Sequence, residues 1–332
     1  TKCSAYQPVE KDTVDYYEIG NAGQLYWFAE QVYGGNGSSI NAKLTNSIVV
    51  NKHVLDSIGD LKSNTEGFRS WTPIGTDINH QYNGTFDGQG YTVGGLYNVE
   101  KAYDNLGLFG FIYSGVVKNV GIVDSYFLCG EDDRLGGICG WNAFATIENC
   151  FNAATLASDH KKSAVGGILG DGEQGGYSPS TISNCYNVGK IASTDYSGSI
   201  CGINDGKIFN SYYLHGTCAQ GVGRQDYGSS TVGEKTTDQF KSGEVAWLLN
   251  GSAAGESPAW RQTLGEDQYP VFDTESGIVY YGYVCDKLTY SNDQLSETPE
   301  AHPGSYDSNG FCTRCGNGYQ PAEQDESDGY YK

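Results

Sequence analysis

Four residues near the C-terminus, Cys285, His302, Cys312 and Cys315, carry soft donors in a spacing that suits a metal clamp. Cys312 and Cys315 form a Cys-x2-Cys pair followed by Gly316, and Cys285 and His302 lie a short way upstream. Four nitrogen and sulfur donors fit tetrahedral zinc. The surrounding segment is too small and polar to fold by burial alone, so a structural zinc would staple it. A disulfide between Cys312 and Cys315, a disulfide from either to Cys285, and an unliganded segment are the other readings of the same residues. No other cofactor is expected.

A second group of chemistry-bearing residues lies mid-chain. The turn Glu131-Asp132-Asp133-Arg134 is followed further on by a mixed run, Asp159-His160-Lys161-Lys162. If the chain stacks in units of about that separation, the runs share an edge, where Asp132, Asp133 and His160 could bind an acidic sugar, calcium or a protein. The interval from Gly170 to Asn184 is longer than the matching intervals from Gly110 to Asn119 and from Gly140 to Asn149, so the stretch Asp171 to Pro179 contains an insertion. Insertions in stacked repeats emerge on one face, where binding residues are commonly carried. That nominates Asp171, Glu173 and Tyr177. The plainer readings are a solvated turn and an insertion without function.

Catalytic motifs are missing from the sequence. It holds no Gly-x-Ser-x-Gly elbow, no His-Glu-x-x-His and no phosphate-binding glycine loop. The five histidines, His53, His80, His160, His215 and His302, are scattered. No catalytic residue is assigned, and a non-enzymatic role is expected.

The composition limits what these residues can serve. Forty acidic residues against 20 basic ones give a net charge of −20, and only five residues are arginine. Nucleic acid and anionic membrane surfaces are therefore poor partners. The chain lacks an apolar run long enough to span a bilayer, so no membrane insertion is expected. Glycine contributes 47 of 332 residues and aromatics 13%, a combination that excludes both a disordered linker and a helical bundle. A β-rich, turn-rich fold remains.

A repeat organises the middle of that fold. The motif appears as Leu106-Gly107-Leu108-Phe109-Gly110, Gly136-Gly137-Ile138-Cys139-Gly140, Gly166-Gly167-Ile168-Leu169-Gly170 and Gly198-Ser199-Ile200-Cys201-Gly202. The near-constant interval between the last glycines of these copies is the mark of a stacked-repeat architecture. Each copy is followed by a second motif, Val117-Lys118-Asn119-Val120, Ile147-Glu148-Asn149-Cys150, Ile182-Ser183-Asn184-Cys185 and Ile208-Phe209-Asn210-Ser211. Short alternating runs divided by Gly, Asn and Asp indicate strands and turns. Units that cannot bury an apolar face alone can do so when stacked. The expectation is an all-β, right-handed parallel β-helix, in which Asn119, Asn149, Asn184 and Asn210 form an amide ladder or else serve as turn residues with no partner above them.

These residues resemble the GLUG-motif repeats of large bacterial surface proteins, and the resemblance covers residues 40–220. It implies a β-helix in an extracellular, surface-attached protein. Similar repeats occur in hemagglutinin-like adhesins and beside immunoglobulin-cleaving metallopeptidases, so no activity is implied. The His-then-Cys-x2-Cys-Gly segment likewise resembles short modules between such repeats.

Other segments read as caps and junctions. Asn21 is a plausible N-cap for a helix through Val32, with Leu25, Phe28, Ala29 and Val32 on one face. A second helix is expected from Asp238 to Asn250, carrying Phe240, Trp247 and Leu248, and the two helices cap or flank the stack. Leu44 to Asn51 reads as a strand, and Tyr82 to Leu96 as a coil with tight turns. Cysteines within the repeats act as small hydrophobes, with Cys150 above Cys185 as free thiols or a bridge. The two chain ends are versions of one segment. Thr1-Lys2-Cys3 and Tyr6-Gln7-Pro8 match Thr313-Arg314-Cys315 and Tyr319-Gln320-Pro321, which suggests one unit of a tandem array with Cys3 unpaired. The expected divisions are 1–16 as the tail of a preceding module, 17–275 as the capped stack and 276–332 as a zinc-ribbon-like linker. The functional expectation is an adhesion or ligand-binding module, monomeric within its array, whose partner is a host or bacterial surface protein or a glycan. A carbohydrate-active enzyme on a β-helix and an accessory region of a surface peptidase are the alternatives.

Overall fold

The computed structural model describes residues 8–34, 38–175, 178–193, 195–300 and 305–316. Strands dominate these residues, as the patterning predicts, and three short helices accompany them: α1 (Ala22–Tyr33), α2 (Thr237–Lys241) and α3 (Glu244–Leu249). Cys3, Tyr177 and His302 lie outside the described residues.

The chain visits three sheets in turn. It passes through Asn105–Leu106, Phe109–Tyr113 and Val116–Cys129, then through Arg134–Gly136, Cys139–Ala143 and Thr146–Ser158, then through Ala164–Gly166, Leu169–Gly175 and Thr181–Ser183. Each strand pairs in parallel with its counterpart one pass later, as in Arg134 with Ala164, Cys139 with Leu169 and Ile147 with Ile182. Two further passes follow, ending in Val222–Gln225 and Ser229–Lys235. Upstream, Thr85–Asp87, Thr92–Gly94 and Tyr97–Asn98 all pair with Val116–Cys129, so the coil expected from Tyr82 to Leu96 is one pass of this pattern. The strand expected from Leu44 to Asn51 is two strands, Asn41–Leu44 and Ile48–Val49, parted by a turn at Thr45 to Ser47.

Two residue types hold the passes in phase. The residues flanking Gly110, Gly140 and Gly170 are paired on both sides, which puts these glycines in one column. A Cβ on Gly140 would lie 2.6 Å from the Leu106 amide nitrogen and 2.8 Å from the Arg134 carbonyl oxygen. Only a bare backbone fits that corner. Asparagine does the second job. Asn119, Asn149, Asn184 and Asn210 all have positive φ, from 47° to 55°, a region that asparagine tolerates better than most residues. The left-handed residue interrupts the pleat, so Ile147 and Cys150, three apart, both point inward and are fully buried. The expected amide ladder forms at two of its three steps and is broken between Asn149 and Asn184. Asn149 Nδ2 donates to Asn119 Oδ1 (3.2 Å), Asn210 Nδ2 to Asn184 Oδ1 (3.3 Å), and Asn119 Nδ2 continues to Asp87 (3.0 Å).

The interior is a continuous apolar cluster extending from Val9 to Tyr213. Cys129, Cys139, Cys150, Cys185 and Cys201 lie buried as free thiols. Val120, Cys150, Cys185 and Ser211 share a column, in which the Cys150 amide reaches the Cys185 sulfur (3.4 Å) and the Cys185 amide the Ser211 hydroxyl (3.4 Å). Burial holds the Cys139, Cys150 and Cys201 thiols far from ionisation.

Helix α1 forms as expected. Asn21 accepts from the Gln24 amide (3.1 Å), while the Gln24 side chain accepts from the Gly20 amide (2.7 Å). Its Phe28 packs on Tyr17, Tyr82 and Phe86, which closes the N-terminal end of the stack. The second helix differs from expectation. Gly243, at φ +88°, breaks it into α2 and α3, and Phe240, Val245, Ala246 and Leu249 are the buried residues, while Trp247 and Leu248 are only partly covered. Phe240, Val245, Leu249 and Trp260 pack on Phe151, Tyr186 and Tyr212, whose inward neighbours are Cys150, Cys185 and Ser211. This pair therefore flanks the outer face of the large sheet. Among the described residues no helix is long and apolar enough to cross a membrane.

Replacing Gly140 with valine forces a side chain into the backbone of the neighbouring strand and should cost about 3 kcal/mol or more. Asn149→Ala should cost about 1–2 kcal/mol, through both its amide bond and its left-handed backbone. Urea midpoints read both effects, and an unchanged midpoint for Gly140→Val would refute the close corner.

Candidate functional site

The corner glycines bring outward side chains of two sheets together. Arg134 lies two residues before Gly136, and Trp141 directly follows Gly140. The position after each column glycine carries Phe111, Trp141, Asp171, Ile203 and Arg224 in successive passes. Arg134 Nε donates to Asp171 Oδ2 (3.0 Å), and its guanidinium lies 4.8 Å from the Trp141 ring centre. Trp141 in turn stacks on Phe111 at 4.1 Å. Two passes beyond Asp171, the Arg224 guanidinium lies 4.6 Å from the Tyr196 ring and pairs with Asp226 at 2.7 Å.

Between these groups is a cavity of about 370 Å³ lined by Asp132, Asp133, Arg134, Lys162, Asp171, Tyr196 and Arg224, among others. A neighbouring cavity of about 500 Å³ shares Tyr196 and Arg224 and adds Asp195, Cys218 and Gln220. Burial raises the Asp171 carboxyl above its ordinary range, opposed by the Arg134 guanidinium. Asp133 is raised by burial too, although it accepts from the Gly130 amide and is drawn back by His160.

Of the residues nominated from sequence, Asp132, Asp133 and Asp171 line one cavity. His160 acts on Asp133 through its charge but does not line the cavity, and its ring pairs with Asp159 (3.2 Å). Glu173 is exposed and away from it. The insertion also starts later than the spacing suggests. Trp141 pairs with Asp171 and Ala143 with Glu173, so both acids belong to the regular strand. The extra residues form a hairpin in which Gln174 pairs with Pro179 and Gly175 with Ser178. Counting residues between motifs gives the length of an insertion but not its starting point. Arg134, Trp141, Tyr196 and Arg224 were missed as site residues. The signal available for Trp141 was its position after the column glycine, equivalent to Asp171.

A second centre lies in the C-terminal segment. Cys285 and Asp286 turn the hairpin Tyr280–Val284 / Lys287–Ser291, with Cys285 at φ +57°. Cys312 sits opposite Tyr306, and the Gly316 amide closes the Cys312–Cys315 knuckle onto the Cys312 carbonyl (2.8 Å). The Cys285, Cys312 and Cys315 sulfurs lie within 4.8 Å of one another, with Cys285 and Cys312 3.6 Å apart. A tetrahedral ion with bonds of about 2.3 Å to sulfur separates its ligands by about 3.8 Å, so the three thiols fit a metal ion. Burial and the neighbouring thiols push the Cys285 thiol up to about 12, a balance that a divalent cation reverses.

No family model matches the chain. It is 28% identical over 159 residues to Halomucin from Haloquadratum walsbyi, a match covering 42% of this chain and 2% of that protein. The chain thus spans a small fraction of the relative it matches. A solved structure from Bacteroides ovatus, described as a candidate immunoglobulin A1 protease, aligns with 81% of this chain and 95% of its own at a TM-score of 0.40 and 16% identity. That score is too low to carry an inference.

Purified without chelator, the protein should carry about one divalent metal ion per chain, and Cys312→Ser should abolish it with the stack intact. Elemental analysis beside a thiol titration reads this; metal-free protein with all thiols reactive would refute the site.

Proposed function

We propose that this chain is a non-catalytic ligand-binding module of a large extracellular surface protein, built as a right-handed parallel β-helix of the GLUG-repeat kind. The ordered return of the chain to three parallel sheets supports the β-helix reading, and right-handed crossover is the strong rule for parallel strands. The observation that carries the functional reading is the groove. Two arginines, each laid on an aromatic ring, face one cavity with Asp171, Tyr196 and Lys162. Such a preorganised polar cleft on a rigid support suits recognition of a surface glycan or protein. The short match to a 2% stretch of Halomucin agrees with a segment of a very long protein. In this reading Cys285, Cys312 and Cys315 hold a structural zinc, with His302 as the fourth donor, and the small hairpin module joins the stack to its neighbour in an array.

One observation favours an enzymatic alternative. Asp171 and Asp133 are two carboxyls with raised affinity for protons in one cavity, a property that general acids share.

Glycan arrays and pulldowns from host surface proteins should find a bound partner without turnover, and Trp141→Ala, which removes the ring under Arg134, should weaken binding by about tenfold. Release of unsaturated or reducing sugar that is lost in Asp171→Asn would replace this reading with a carbohydrate-active enzyme.

A further inference from the structure

We infer that the cavity between Arg134 and Arg224 takes the carboxylate of an acidic sugar at the end of a glycan chain, a uronic or a sialic acid. The inference rests on reading the chain as a ligand-binding module and names the ligand class for the same groove.

Charge placement is the first argument. The chain carries −20 overall and has five arginines, yet two of the five line this cavity with Lys162, so its three aspartates, Asp132, Asp133 and Asp171, are matched by three cations where the rest of the surface is acidic. Arg224 is engaged by Asp226 through Nε (3.0 Å) and one terminal nitrogen (2.7 Å), whereas Arg134 and Lys162 keep donors in reserve. Arg134 meets Asp171 through Nε alone, and among the described residues nothing accepts from its two terminal nitrogens. Those nitrogens are part of the planar fork that matches a carboxylate. Lys162 makes no ion pair among the described residues; only its backbone amide is engaged, with Asp195 (3.1 Å).

Preorganisation is the second. Trp141, backed by Phe111, and Tyr196 each carry a guanidinium, so the two arginines are held in place before a ligand arrives. The Asp171 side chain is one-fifth exposed, and its burial disfavours its own charge, which makes it a weak competitor for Arg134. The acidic surface elsewhere repels a polyanion more than a single terminal charge, so a terminal acidic sugar is favoured over a polyuronate.

The test is isothermal titration of the full chain with 3′-sialyllactose and with a glucuronate-terminated disaccharide, using lactose as the neutral control. At least one acid should bind about tenfold or more tighter than lactose, and the two arms separate sialic from uronic sources. Arg134→Gln should remove about tenfold of that affinity, Arg134→Lys should restore only part of it, and Asp171→Asn should preserve or strengthen it. Circular dichroism confirms that each variant is folded. Equal binding of lactose, tighter binding of polygalacturonate, or acid binding indifferent to both Arg134→Gln and Arg224→Gln would overturn the inference. Binding of neutral glycans or proteins alone would overturn it while leaving the module reading in place, whereas silence across the array, the pulldown and both acids would remove both.

Discussion

The register between successive passes of the chain is the constraint on which the other features depend. At each corner the backbone of one sheet lies against the backbone of the next, and the glycine column leaves no room for a Cβ there. A slip of one residue would push Cys139 or Trp141 into that corner and turn every inward side chain outward. The corner thus acts as an index mark, repeated at Gly110, Gly140, Gly170, Gly202 and Gly223. Apolar burial supplies the driving force, but burial is non-directional, and the bare corners select one alignment among many that would bury similar area.

Polar groups inside the stack reinforce that alignment. Asn152 and Asn187 are fully buried, yet each accepts from the amide two residues on, Ala154 (3.1 Å) and Gly189 (3.1 Å), which shapes its own turn. Asn152 also donates to Asn187 one pass away (2.8 Å), Asn187 to Ser199 (2.9 Å), and Ser199 meets Thr217 at 2.6 Å. Such a chain stabilises only when each member is satisfied, because an orphaned amide in this environment costs about 1–3 kcal/mol. Each amide bond therefore requires the next pass to be in register. Local turn geometry and long-range alignment become one condition.

Much of this was legible in the sequence because it recurs. The phase of the glycines, the asparagine set from Asn119 to Asn210 and the Asn21 cap all follow from residue types whose backbone preferences are strong. What could not be read depends on neighbours remote in the chain. Phe151, Tyr186 and Tyr212 form an aromatic column on the outside of the large sheet, and Trp260, from far beyond them in sequence, covers it with its indole nitrogen on the Asn184 carbonyl (3.1 Å). No local pattern announces that lateral packing. The groove was half visible, since its carboxylates stood out as charge runs. Its arginines and aromatics stood singly in different passes, and only the register joins them.

The same register explains why the groove can differ from pass to pass while the core does not. Phe109, Cys139, Leu169, Cys201 and Val222 occupy one inward column and stay apolar throughout, because each packs against the neighbouring passes, Val222 at the end of the sheet on one side alone. Two residues further along, the outward column runs Phe111, Trp141, Asp171, Ile203 and Arg224, which has no common chemistry. Packing fixes the backbone of these positions, while their side chains, from the covered Phe111 and Ile203 to the more open Trp141 and Arg224, answer to their neighbours in this column rather than to the core. An outward column on a rigid frame holds its side chains at fixed separations of about 4.8 Å per pass. A recognition surface can be composed there one residue at a time, at little cost to the fold that carries it.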